Sequence, residues 1–195
     1  MEKRATSKTL QMVQLAILLA ILLVMAFTPL GYMKIGPLSV SFLTLPVAIG
    51  AVILGPRAAL ILGAAFGLTS FYQCLGMDDF GVALMAISPV KTFLTCVVPR
   101  LLVGYIPSKL YQCLKNKNDK AAVGAACLAA PITNTLFFMG LLMLFFGNDP
   151  FLQQSGSTTW AILVALGISN AIPEALICFV GGTAICIALK KALKL

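Results

Sequence analysis

Long apolar runs follow one another along this chain, each about as long as the ~17–25 residues that carry a helix across a bilayer. They read as Leu10–Phe27, Leu38–Leu54, Ala58–Leu75, Pro89–Cys113, Ala121–Phe146 and Thr159–Leu189. Of the 195 residues, 60% are hydrophobic and 10% charged, with a mean hydropathy of +1.01. Soluble domains run at about 45–50% apolar and about 25% charged, so a soluble globular fold is excluded. Disorder needs low hydrophobicity and high charge and is excluded more firmly. The expected fold class is an all-α integral membrane protein, a single six-helix transmembrane domain over residues 1–195.

Spans 2 and 3 meet at Gly55-Pro56-Arg57 and form a tight antiparallel pair. Span 1 reads as a retained helix, because its apolar run is long for a signal peptide and no A-x-A site follows. Basic residues set the orientation. Lys3, Arg4, Lys8, Arg57, the group from Lys109 to Lys120 and the C-terminal lysines fall on one side, and Lys34 alone on the other. Both termini are therefore expected in the cytoplasm of a multi-pass cell-membrane protein. The outer loops are Pro29–Pro37, Gly76–Ser88 and Gly147–Thr158. The net charge of +8 reads as this bias rather than as a nucleic-acid footprint.

A few polar residues are too costly inside a membrane to be incidental. Arg100 lies about 11 residues into span 4, roughly 16 Å deep. A central arginine costs at least ~2.5–3.5 kcal/mol, so it faces a partner or a polar cavity. Glu174 is the acid within a span, about 22 Å into span 6. Two readings stand: a structural Arg100–Glu174 ion pair, or an anion site at Arg100 with Glu174 orienting it from below. Asn134 and Asn170 lie near the depth of Arg100, and Asn170 shares a helix face with Glu174. They either hold helices together or line a small-molecule pocket. Phe71 and Tyr72 end span 3 at the outer surface, as interfacial anchors or as a cap over a site. Lys91 opens span 4 on that side, where it snorkels to the headgroups or joins the substrate-binding residues. Asp78 and Asp79 read as loop solvation.

The sequence contains no His, no CxxC, no phosphate-cradling GxxxxGK[ST], no HExxH and no GxSxG. His-based metal sites and triads are excluded, the chain cannot energise transport itself, and no enzyme is expected. The six cysteines read as small buried hydrophobes. No metal site and no cofactor in this chain are expected.

Ala16-Ile-Leu-Leu-Ala20 in span 1 is a small-xxx-small pattern. Together with the six spans, the stretch from Gly36-Pro37 through Pro46 and Gly50 to Gly55-Pro56-Arg57, and Phe66-Gly67-Leu-Thr-Ser-Phe71, it resembles the S component of an energy-coupling factor (ECF) vitamin transporter. The likeness covers essentially the whole chain. Thr69-Ser70-Phe71, Pro99-Arg100 and Asn134 look most like the pantothenate-type members.

That resemblance implies a chain that captures a vitamin or precursor from outside. A membrane T component and two ATP-binding subunits, which use ATP, supply the power, and the S component topples in the bilayer. It implies that Ala16 and Ala20 dock on the T component. Substrate would lie toward the outer side. Arg100 would pair with a carboxylate, Asn134 and Asn170 would bond amide and hydroxyl groups, and Phe71 and Tyr72 would close over an aliphatic part, with Lys91 nearby. An anion site fits folate or biotin as well, and riboflavin would call for more aromatic stacking. Two readings of other classes compete: a structural membrane protein without ligand, and a self-sufficient channel or secondary transporter.

Overall fold

Proline and glycine cut the apolar sequence into its elements. The computed structural model describes residues 2–29, 31–35, 38–147, 167 and 171–193. Helix α1 (Glu2–Ala26) leads into an antiparallel hairpin of β1 (Tyr32–Ile35) and β2 (Leu38–Ser41), with Tyr32 opposite Ser41. Then come α2 (Thr44–Ile53), α3 (Pro56–Gln73), α4 (Asp79–Ile87), α5 (Pro89–Leu114) and α6 (Asp119–Phe146). The last described helix is α7 (Ala171–Leu193), which contains one π-helical turn, Cys178–Gly182. Gly55 takes φ 86°, a conformation that favours glycine, and Pro56 opens α3, where its missing N–H is no loss. The chain therefore reverses between α2 and α3 in a minimal turn.

The helical membrane architecture carries departures from the expected six-span layout. The described residues hold seven helices, and four segments are long and apolar enough to cross a membrane: Lys8–Ala26, Pro89–Leu114, Asp119–Phe146 and Ala171–Leu193. Leu38–Ser41 is strand, not the start of a span. The 10 residues of α2 reach only about 15 Å. The expected loop Gly76–Ser88 contains α4. Asp78 is its N-cap, accepting a hydrogen bond from the Gly81 N–H at 2.8 Å, which gives this acid a structural task beyond loop solvation. The outer part of the sixth expected span and the loop before it lie outside the described residues.

Helix α5 is the centre of the bundle, packed most extensively on α3 and α6. A Cβ at Gly63 would collide with the Arg100 carbonyl, so glycine lets the backbones of α3 and α5 touch at the level of Arg100. Leu22, Leu43, Val47, Leu62, Phe66 and Val103 form one core cluster. Ile49, Val52, Tyr111, Val123, Cys127 and Cys186 form a second, toward the other end of the bundle. At that end Lys190 joins Asp119 in an ion pair and donates to the Tyr111 hydroxyl at 2.7 Å. Tyr111 in turn donates to Asp119 at 2.9 Å.

Candidate functional site

The position of Arg100 follows from the proline before it. Pro99 has no N–H, so the Thr95 carbonyl one turn earlier loses its helical donor. The Arg100 guanidinium takes that carbonyl through Nη1 at 3.1 Å. Its Cζ also lies 4.7 Å from the centre of the Phe138 ring and 5.3 Å from that of Phe66, within cation–π range. The side chain is thus fixed in place at 7% exposure, while its Nε has no partner.

Arg100 borders a cavity of about 120 Å³. The end of α3, the base of the hairpin, α4, and parts of α5, α6 and α7 enclose it. Its polar wall includes Tyr32, Ser41, Ser70, Gln73, Asn134 and Glu174. Glu174 is 3% exposed. Thr44 Oγ1 donates to its Oε1 at 2.8 Å and lies 3.2 Å from Cys178 Sγ. Arg100 and Glu174 both line the cavity and make no direct ion pair with each other. Glu174 itself lines the cavity.

Five buried side-chain polar atoms among the described residues make no well-formed hydrogen bond: Tyr32 Oη, which lies beside the Ser41 and Ser70 hydroxyls, Ser41 Oγ, Arg100 Nε, Asn134 Oδ1 and Thr183 Oγ1. The first four belong to residues of this cavity. Buried polar groups are ordinarily satisfied, because leaving one unpaired costs about 1–3 kcal/mol. Burial pushes the Tyr32 phenol well above its ordinary pKa, and the neutral phenol can donate as well as accept. The cavity therefore offers a fixed cation, a phenol donor, a hydroxyl, an amide acceptor and a carboxylate, with Phe138 and Met139 as apolar wall.

Of the expected site residues, Arg100, Asn134 and Glu174 come together. Phe71, Tyr72 and Lys91 do not line the cavity. Phe71 packs edge-on against Phe93 at 5.1 Å, and Tyr72, 51% exposed, meets Phe27 at 5.8 Å. The reason is helix phase: Ser70, Gln73 and Cys74 occupy the inward i, i+3, i+4 face, which turns the two aromatics between them away. Lys91 is exposed and donates to the Phe145 carbonyl at 3.2 Å. Asn170 lies outside the described residues. Tyr32 and Ser41 went unforeseen because the hairpin that pairs them did. Ala16 and Ala20 lie on an exposed face of α1.

Residues 10–181 match the family described as ECF transporter, substrate-specific component, and the chain belongs to that family. Two relatives narrow the comparison. The chain is 32% identical to the pantothenic acid transporter PanT of Lactococcus lactis subsp. cremoris over 95% of its own length and 96% of the relative's. It is 31% identical to the pantothenate transporter PanT of Leuconostoc mesenteroides subsp. mesenteroides over 58% of its own length and 57% of the relative's.

Proposed function

We propose that this chain is the pantothenate-capturing S component of an ECF importer. The observation that carries the reading is the convergence of four buried polar atoms without a well-formed hydrogen bond, from Tyr32, Ser41, Arg100 and Asn134, on one cavity. Pantothenate has one carboxylate, an amide, two hydroxyls and an aliphatic body. Arg100 Nε and the Tyr32 hydroxyl receive the carboxylate through charge-assisted bonds. Asn134 Oδ1 accepts from the amide or a hydroxyl, and Glu174 accepts from a hydroxyl. Phe138 and Met139 cover the aliphatic part. A guanidinium and a carboxyl group that share one cavity without pairing with each other favour a ligand with an anionic end and a donor-rich end. That combination matches pantothenate better than a flat aromatic vitamin.

The distribution of basic residues supports cytoplasmic termini and a cavity open toward the outside. A T component docks on the exposed α1 face at Ala16 and Ala20, where small side chains permit close approach, and two ATP-binding subunits power the cycle. Asn170 is assigned to the substrate from the sequence resemblance alone, and Phe71, Tyr72 and Lys91 act at the rim of the site rather than in the cavity.

Isothermal titration of the detergent-solubilised chain against a vitamin panel tests the ligand. Tight one-to-one binding of pantothenate, with no heat from riboflavin, folate or biotin, is expected. Tight binding of another vitamin instead would discard pantothenate. Replacing Ala16 with Trp should leave binding intact and abolish uptake in cells that carry the partner subunits. Persistent uptake would remove α1 from the docking surface.

A further inference from the structure

Cys74 caps the C-terminus of α3, and Cys96 lies in the first half of α5. Their Sγ atoms are 3.7 Å apart. Both are buried, at 7% and 4% exposure, and both line the cavity that holds Arg100. Neither thiol is needed to position Arg100, which Thr95, Phe66 and Phe138 hold. Cys74 also carries a load from α4. A Cβ at Gly81 would lie 2.6 Å from its Sγ and 3.0 Å from its Cα, so α4 is seated directly on Cys74. Helix α4 and its cap bring Asp78, Phe80 and Leu84 to the cavity wall.

We propose that Cys74 and Cys96 are an oxidisable dithiol in the cavity wall, which a two-electron oxidant closes into a disulfide that weakens substrate capture. A disulfide requires the sulfurs to approach to about 2.05 Å, against 3.7 Å here. The closure shifts the Cys74 side chain on which α4 is seated, so the wall that α4 supplies is displaced. It also ties the end of α3 to α5 within the cavity wall. With diamide as oxidant, one thiol adds across the N=N bond, forming S–N while its proton passes to the other nitrogen. The second thiol attacks that sulfur, S–S forms, S–N breaks, and its proton leaves with the hydrazine. The two thiols lose two electrons and the diazene gains them.

The effect on capture rests on the reading of this cavity as the pantothenate site, so the test has two readouts. The full chain in detergent is treated with stoichiometric diamide and mapped by peptide mass spectrometry, then titrated with pantothenate before and after reduction. A 74–96 linked peptide is expected, with affinity reduced at least tenfold and restored by a phosphine reductant. Cys74→Ser and Cys96→Ser each should keep, after diamide, whatever affinity they had before it. Cys113→Ser, at an exposed cysteine, should remain diamide-sensitive. Absence of the 74–96 peptide would overturn the proposal, and so would a linked protein that binds as the reduced one does. If the link forms but the reduced protein binds no pantothenate, the dithiol stands and the ligand assignment falls.

Discussion

The two ends of the bundle each gather charged and polar groups, with opposite outcomes. At one end Lys190, Asp119 and Tyr111 close a triangle in which ammonium, carboxylate and phenol all find partners. At the other, Arg100 and Glu174 border one cavity without pairing, and Arg100 Nε and three neighbouring polar atoms have no well-formed hydrogen bond. The first cluster satisfies itself and ties α5, α6 and α7 together. The second is held rigid by its surroundings and left unsatisfied, an arrangement that persists where a ligand supplies the missing bonds. Whether polar groups are answered within the chain separates scaffold from site better than their mere presence in a membrane.

The contrast can be attacked by mutation. Arg100→Ala should have the largest effect on pantothenate binding. Loss of a charge-assisted bond, worth about 1.5–3 kcal/mol, lowers affinity by about 10- to 100-fold while the helical circular dichroism survives. Unchanged affinity in a folded variant would remove Arg100 from the site. Asn134→Ala should cost less, about 2- to 10-fold for a neutral hydrogen bond. A larger loss than that of Arg100→Ala would shift the anchor of the site from charge to amide. Lys190→Ala should do least: affinity within twofold of the parent, and a melting temperature lowered by no more than about 4 °C, as for a partly exposed pair worth under ~1 kcal/mol. If Lys190→Ala weakened binding as much as Asn134→Ala, the two ends would not be separable.

Physical cost made part of this legible in the sequence. Arg100 and Glu174 stood out because a charge within a span demands an explanation, and both reach the cavity. The side each neighbouring residue faces was harder to read. Phe71 and Tyr72 have the right depth, yet one or two residues of helix turn them outward, and Gln73 and Cys74 take the inward positions. Leu38-Ser-Val-Ser41 alternates with a strand period, but its apolar neighbours hid that in a span-length average. Asp78, read as solvation, is a cap, a role visible only once Gly81 is seen within hydrogen-bond reach. Cys74 and Cys96 are 22 positions apart, and nothing local in the sequence announces their contact.

The π-helical turn at Cys178–Gly182 has a consequence in angular phase. Glu174 and Lys190 are 16 positions apart. On a uniform α-helix, at about 100° per residue, they would point roughly 160° away from each other. A π-turn absorbs one extra residue, which reduces that angle to about 60°. The extra residue acts as a phase correction. It lets α7 direct a carboxylate into the open cavity and an ammonium into the closed triangle from nearly the same side, so a single rod registers both ends of the bundle.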